Sequence, residues 1–239
     1  MSTEADLETD VEEPGGERPA WSRWVIIGGA MLAVLLIGAA IGVFATRLTD
    51  GDDAAAATPG AGSVEVGFAQ DMSTHHLQAV TMANWARDHT TDPEVKQLAF
   101  DIESTQTEQV GRMKGWLMLW DQPEQATGAY MTWMTEPMGH GMTMPTSSPA
   151  NGAPMPGMAT DAELTKLRSL SGRAMDVYFL QLMLRHHEGG TAMAQYAQEH
   201  SSLPAVKALC QSILTSQGAE MDQMKLMLQA RGAQPLPAS

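Results

Sequence analysis

Residues 68–83 read FAQDMSTHHLQAVTMA, and residues 179–194 read FLQLMLRHHEGGTAMA. A shift of 111 residues lays Phe68 on Phe179, Met72 on Met183, His75-His76 on His186-His187 and Met82-Ala83 on Met193-Ala194. The register then holds without a gap through Ala86 and Ala197, His89 and His200, Pro93 and Pro204, Leu98 and Leu209, Ile102 and Ile213, and Gln106 and Gln217. It continues through Met113-Lys114 and Met224-Lys225 and reaches Leu117 and Leu228. Self-similarity of this kind marks a tandem duplication, in which each copy is one supersecondary unit that needs a neighbour to bury its apolar face.

Within each copy apolar residues recur at three- and four-residue spacing, which predicts helix. The period breaks at helix-start signals. Asp92 can cap with Pro93 at the first helical position, and Ser202 and Pro204 mark the equivalent start in the second copy. Each copy is therefore expected to be a helix hairpin, and two hairpins make a four-helix bundle. Thr160-x-x-Glu163 resembles a capping box and predicts a short extra helix running toward Leu170. The duplicated bundle occupies residues 64–232, with copy one at 64–120, a Met-rich loop at 121–159 and copy two at 160–232.

Toward the N-terminus the character changes. Residues 1–23 are acidic, rich in Pro and Gly and poor in apolar groups, the composition of a disordered cytoplasmic tail. Residues 24–46 contain no charged side chain and include VIIGGAMLAVLLIGAAIGVF, long enough for the roughly 20-residue helix that crosses a bilayer. Trp21 and Trp24 stand at one end. Arg18 and Arg23 precede the run while only Arg47 follows it, which favours the N-terminus inside and the bundle outside the cytoplasmic (inner) membrane. A cleaved signal peptide is the alternative, against which stand the length of the apolar run and the long acidic leader. Residues 47–63 are a small-residue linker.

The chain has 239 residues and a formal net charge of -14. Its 14 Lys and Arg residues form no cluster, so nucleic acid is not an expected partner. A single cysteine, Cys210, excludes an internal disulfide, and its apolar neighbours Leu209 and Ile213 suit a buried core position. No Ser-His-Asp set, phosphate loop or Cys-x-x-Cys framework is present, so catalysis lacks a motif. The outlier is methionine, at 19 residues. A thioether is a soft ligand that selects Cu(I), and it is also an adaptable core filler.

Met72 lies one helical turn before His75 and His76, which straddle the apolar stripe through Ala79, Ala83 and Ala86. Met183, His186 and His187 repeat the arrangement. The second helix of each hairpin carries polar groups inside its own apolar stripe: Gln106 and Gln109 in copy one, Gln217 and Glu220 in copy two. Buried polar groups need partners, and the facing His pairs are the simplest, with the amide or carboxylate orienting the ring nitrogen that binds no metal. His89 and His200 fall at helix C-termini, where the helix dipole accounts for them. Histidine and methionine with almost no carboxylate suit copper, as Cu(I) or Cu(II), better than zinc or iron. A di-iron site of the ferritin type would want a Glu from each of two helices and Glu-x-x-His on two others, and no such set is present. In the loop, Met138, His140, Met142, Met144, Met155 and Met158 form a second candidate, an exposed soft-metal capture arm.

Phe68-x-x-x-Met72-x-x-His75-His76-x-x-Ala79-x-x-Met82-Ala83, followed by Gln106-x-x-Gln109-x-x-x-Met113, resembles the bacterial family catalogued as domain of unknown function 305. So does Phe179-x-x-x-Met183-x-x-His186-His187-x-x-Gly190-x-x-Met193-Ala194 with Gln217-x-x-Glu220-x-x-x-Met224. The resemblance covers about residues 64–230. It implies a ferritin-like helical bundle outside the cytoplasm and, for some members, copper or silver binding in metal tolerance. Carried over by motif position, it implies Met72, His75, His76 and Met82 with Met183, His186, His187 and Met193 as metal ligands. Gln109 and Gly190 depart from the family pattern, which often has Glu and Ala there. The expected function is a membrane-anchored copper-sequestering protein. The alternatives are a metal-dependent oxidase and a metal-free structural bundle, and the delivery partner is not legible.

Overall fold

The computed structural model describes residues 58–135 and 152–237. The expected tail at 1–23, the expected span at 24–46, most of the linker, and Met138, His140, Met142 and Met144 lie outside the described residues. Among the described residues the fold is all-α. It has five helices and no strand: α1 (Val64–His89), α2 (Pro93–Leu119), α3 (Asp161–Ser169), α4 (Gly172–His200) and α5 (Pro204–Ala230). None of these is long and apolar enough to cross a membrane.

The helix starts follow local chemistry. Ser63 accepts a hydrogen bond from the Val66 amide and opens α1. Asp92 accepts from the Glu94 and Val95 amides, with Pro93 in the first turn of α2. Thr160 and Glu163 form the expected capping box of α3, which ends at Leu170. At α5 the expectation needs correcting, because the cap position is Leu203 and no side chain of its own caps it. Glu65 of copy one instead accepts from the Ser202 amide at 2.8 Å, and Ser201 Oγ accepts from the Leu203 amide at 3.1 Å.

This exchange between copies occurs twice, in the 111-residue register of the repeat. Ser201 Oγ donates to Glu65 at 2.8 Å, and its counterpart Thr90 Oγ1 donates to Asp176, the counterpart of Glu65, at 2.6 Å. Thr90 Oγ1 also accepts from the Asp92 amide, as Ser201 does from Leu203. The start of each hairpin thus ties down the turn of the other. Burial pushes the Glu65 carboxyl upward, but the hydrogen bonds from Ser201 and Ser202 win and hold it below the usual carboxylate range.

α1 packs on α2 and α5 on α4, and the two hairpins meet chiefly along α1 and α4. The apolar interior divides into two clusters. One contains Phe68, Met72, Met113, Met193, Tyr196 and Ile213, and the other contains Met82, Ile102, Phe179, Met183, Met224 and Leu228. The N-terminal part of α1 therefore shares a cluster with the C-terminal part of α4, and the reverse holds in the second cluster. The two helices run antiparallel and cross between the clusters, at the histidines.

Both described ends of the connector between the copies are laid onto the bundle. Trp133 fills a notch at Gly67, where an added Cβ would fall 2.2 Å from the indole, and it donates to Asp71 Oδ2 at 2.8 Å. Tyr178 occupies the equivalent of Gly67 in copy two, so the notch belongs to one copy only. Met155 and Met158 are not the exposed arm the sequence suggests. They are 0% and 4% exposed and pack into the core, because the chain on either side of Pro156 lies flat against α1 and α4. Cys210 is buried as expected, and burial pushes its thiol up to about 12.

Replacing Glu65 with Ala strands the Ser202 amide and the Ser201 hydroxyl at the hairpin turn. Leaving buried donors unmet costs about 1–3 kcal/mol, so the melting temperature is expected to fall by several degrees. An unchanged melt would remove the exchange from the account of stability.

Candidate metal centre

Between the two apolar clusters lies one polar layer, to which every long helix contributes two residues: His75 and His76 from α1, Gln106 and Gln109 from α2, His186 and His187 from α4, and Gln217 and Glu220 from α5. All four histidines are 0% exposed, and Gln106, Gln109 and Gln217 are at most 2% exposed. The repeat sets them at one level: the histidines follow Met72 or Met183 by three and four positions, and the polar residues of α2 and α5 precede Met113 or Met224 by seven and four.

The expected partners meet. His76 Nε2 lies 2.8 Å from Gln109 Oε1, and His187 Nε2 lies 2.7 Å from Glu220 Oε2. A carboxylate only accepts, so Nε2 of His187 carries a hydrogen and Nδ1 is the ring nitrogen turned away from Glu220. The amide carbonyl of Gln109 acts on His76 in the same way. Sequence reasoning missed the partner of His75, which is the backbone carbonyl of Pro156, 3.2 Å from Nε2. A carbonyl also only accepts, so His75 presents its lone pair at Nδ1. In His75, His76 and His187 the Nδ1 atom has no hydrogen-bond partner, and the His186 ring has only the backbone of His75 acting on it. Both amide atoms of Gln106 and of Gln217 are likewise unpaired.

The closest approach is between the copies. The rings of His75 and His186 lie 3.8 Å apart between centroids, tilted by 41°. Adjacent rings within a copy are farther, at 6.5 Å for His75 and His76 and 6.4 Å for His186 and His187. Room for this comes from Gly190, where an added Cβ would stand 3.1 Å from Cε1 of His75. Its counterpart in copy one is Ala79, so the Gly that departs from the family pattern admits the other copy's imidazole. The methionines expected to serve copy by copy are sorted differently. Met72 lies in one cluster with Met193, and Met82 lies in the other with Met183. Among the described residues no group of three or more His, Cys, Asp or Glu side chains is arranged to hold a metal ion.

Burial dominates the electrostatics. It pulls His75 down to about 4, against the opposing Pro156 carbonyl, and with the neighbouring His75 charge it pulls His76 down to about 3. His186 is driven well below its ordinary value by burial and by the surrounding histidines. These imidazoles are neutral near pH 7, the form a metal needs. Outside the layer, His89 stacks on Trp85 and His200 on Tyr196, both in last helical turns.

The depressed values carry a sign. An unfolded histidine titrates near 6.5 and a buried one here near 4 or below, so as pH falls from about 6.5 toward 4 the unfolded chain takes up protons that the fold refuses. Stability is fully present above pH 6.5 and is lost with a slope of up to about 1.4 kcal/mol per pH unit for each such residue. Thermal melts of the metal-free protein should therefore be flat above pH 7 and fall steeply below 6. His76→Gln should shallow that fall, and an equal acid slope in that variant would contradict the assignment.

The sequence profile of the family described as Domain of unknown function (DUF305) matches residues 65–228. No curated protein matches the chain. Among solved structures, a DUF305 protein of Streptomyces coelicolor assigned as secreted is 43% identical. The match covers 74% of this chain and 99% of that one, with a TM-score of 0.65. A DUF305 fragment of Deinococcus radiodurans is 32% identical over 70% of this chain and 96% of its own, with a TM-score of 0.56. CopM in its Cu(II)-bound form is 29% identical over 70% of this chain and 96% of its own, with a TM-score of 0.53. The Cu(I)-bound form of CopM gives 25% identity over the same shares and a TM-score of 0.52. The chain belongs to the DUF305 family.

Proposed function

We propose that this protein binds copper at the histidine layer, as a sequestering module held outside the cytoplasm by the apolar segment at 24–46. The observation that carries the reading is a buried layer of four imidazoles and two glutamine amides whose hydrogen-bonding capacity is left partly unmet. Each unpaired buried group costs on the order of 1–3 kcal/mol, so a layer of this kind favours a ligand that can use nitrogen lone pairs in a dry place. Imidazole nitrogen with methionine in the flanking clusters favours Cu(I), and Cu(II) is also within reach of nitrogen donors. Support comes from CopM, which has been solved with each oxidation state bound. The secreted assignment of the Streptomyces relative agrees with a place outside the cytoplasm.

In this reading the copies make one centre jointly, because His75 and His186 are nearer to each other than either is to its own neighbour. His76 and His187 stand at its flanks, oriented by Gln109 and Glu220. Met72 and Met193 lie to one side and Met82 and Met183 to the other. The metal-free bundle is the competing reading, since the His76–Gln109 and His187–Glu220 pairs would serve it equally well.

Anaerobic Cu(I) titration of the full-length protein against a competing chelator separates these. A joint centre predicts that His75→Ala alone, or His186→Ala alone, abolishes the tight binding of the whole chain. Loss of half the capacity in each would indicate two independent sites. No tight binding in the unsubstituted protein, with no rise in melting temperature on adding metal, would leave the structural reading.

A further inference from the structure

We propose that the segment Met155–Ala159 is the gate through which an ion exchanges with the histidine layer, and that Gln78 sets how fast it opens. The inference rests on the binding reading above. An ion bound among four fully buried imidazoles has to cross a wall. The helical walls are held by continuous backbone hydrogen bonds, and the two ends of the layer are closed by the apolar clusters. Among the described residues Pro156 is a non-helical residue that reaches the layer, through its carbonyl on His75. Local openings are drawn from loops rather than from core helices, and this segment belongs to no helix.

The way it is seated supports a part that leaves and returns. It lies directly on the backbone of α4. An added Cβ on Gly189 would fall 2.2 Å from the Pro156 carbonyl oxygen, and one on Gly157 would fall 2.5 Å from the Arg185 carbonyl oxygen. Gly157 has φ +78°, a conformation that glycine adopts without penalty. Paired glycines inside a helix cost about 1 kcal/mol each relative to Ala, so Gly189 and Gly190 in the middle of α4 call for a reason. Gly190 admits His75, and Gly189 admits the strap.

On the α1 side the strap is held by Gln78 and, through the Pro156 carbonyl, by His75. Gln78 Nε2 donates to the Ala159 carbonyl at 2.9 Å, and Gln78 Oε1 accepts from the Ala159 amide at 2.7 Å. Arg185 adds a long bond to the Met158 carbonyl, at 3.5 Å. In the register of the repeat Gln78 and Gly189 are the same position. One copy supplies the latch and the other the groove, so the strap covers one face of the layer. Gln78 is half-buried and lies outside the layer, so it can be changed without altering a candidate ligand.

The test uses full-length protein and Ag(I), a redox-inert probe for soft sites, in stopped-flow association and chelator-driven dissociation. Gln78→Ala is expected to speed both rates about tenfold while the dissociation constant moves less than threefold. Gly189→Ala, which pushes the strap away from the α4 side, is expected to do the same and stands in should Gln78→Ala fold poorly. A second readout needs no metal: diethyl pyrocarbonate labelling of His75, followed by mass spectrometry with the exposed His89 and His200 as internal references. His75 labelling should rise several-fold in both variants. Silver bound at the layer with unchanged rates and unchanged labelling would overturn the gate and leave the function standing. Faster His75 labelling in a protein that takes up no silver at the layer would keep the opening and discard the function.

Discussion

The contact on which the rest depends is His75 against His186. Two neutral imidazoles from opposite copies stack at 3.8 Å in a place where no side chain is exposed, and everything around them is arranged to permit that. α1 and α4 must cross at this level, and Gly190 must lack a side chain. The apolar clusters must stop short on either side, so that Met72 and Met193 pack at one end and Met82 and Met183 at the other. A bundle built for stability alone would fill this level with Leu or Ile, since unpaired polar atoms in a core are costly. Polar residues here therefore have to be explained by what they bind or by what they specify.

The layer is symmetric in its backbone and asymmetric in its chemistry. Gln109 faces His76 where Glu220 faces His187, so one half of the layer carries a carboxylate and the other a neutral amide. A carboxylate hydrogen-bonded to imidazole makes the opposite nitrogen a stronger donor than an amide does. Ala79 in copy one corresponds to Gly190 in copy two, and Gln78 to Gly189. These three substitutions fall on the same level of the bundle and concentrate the difference between the copies at the centre.

Much of this was legible in the residues. The gapless repeat gave the hairpins, Asp92-Pro93 and Thr160-x-x-Glu163 gave helix starts, and polar residues in apolar stripes pointed to the His76–Gln109 and His187–Glu220 pairs. Each of these is local or follows from helical period. What escaped needed the crossing of two helices 111 residues apart. Spacing within one helix places Met72 beside His75 but cannot place His75 on His186 or join Met72 to Met193 in one cluster. The strap escaped for a different reason, because Met155 and Met158 sit in a stretch rich in Pro and Gly that has no period. The one signal was the Gly-Gly pair at 189–190, two poor helix formers in the middle of a helix, which marks a close approach without naming what approaches.

The reciprocal bonds from Glu65 to the Ser201 turn and from Asp176 to the Thr90 turn have the form of an isologous interface, in which each half offers the other the same groups. Two identical chains associating in this way would have to carry the same residue at both equivalent positions, so a glutamine latch could never face a glycine groove. Joining the halves in one polypeptide removes that obligation. It lets a twofold scaffold keep its mutual clasps at the rim while its middle becomes one-sided.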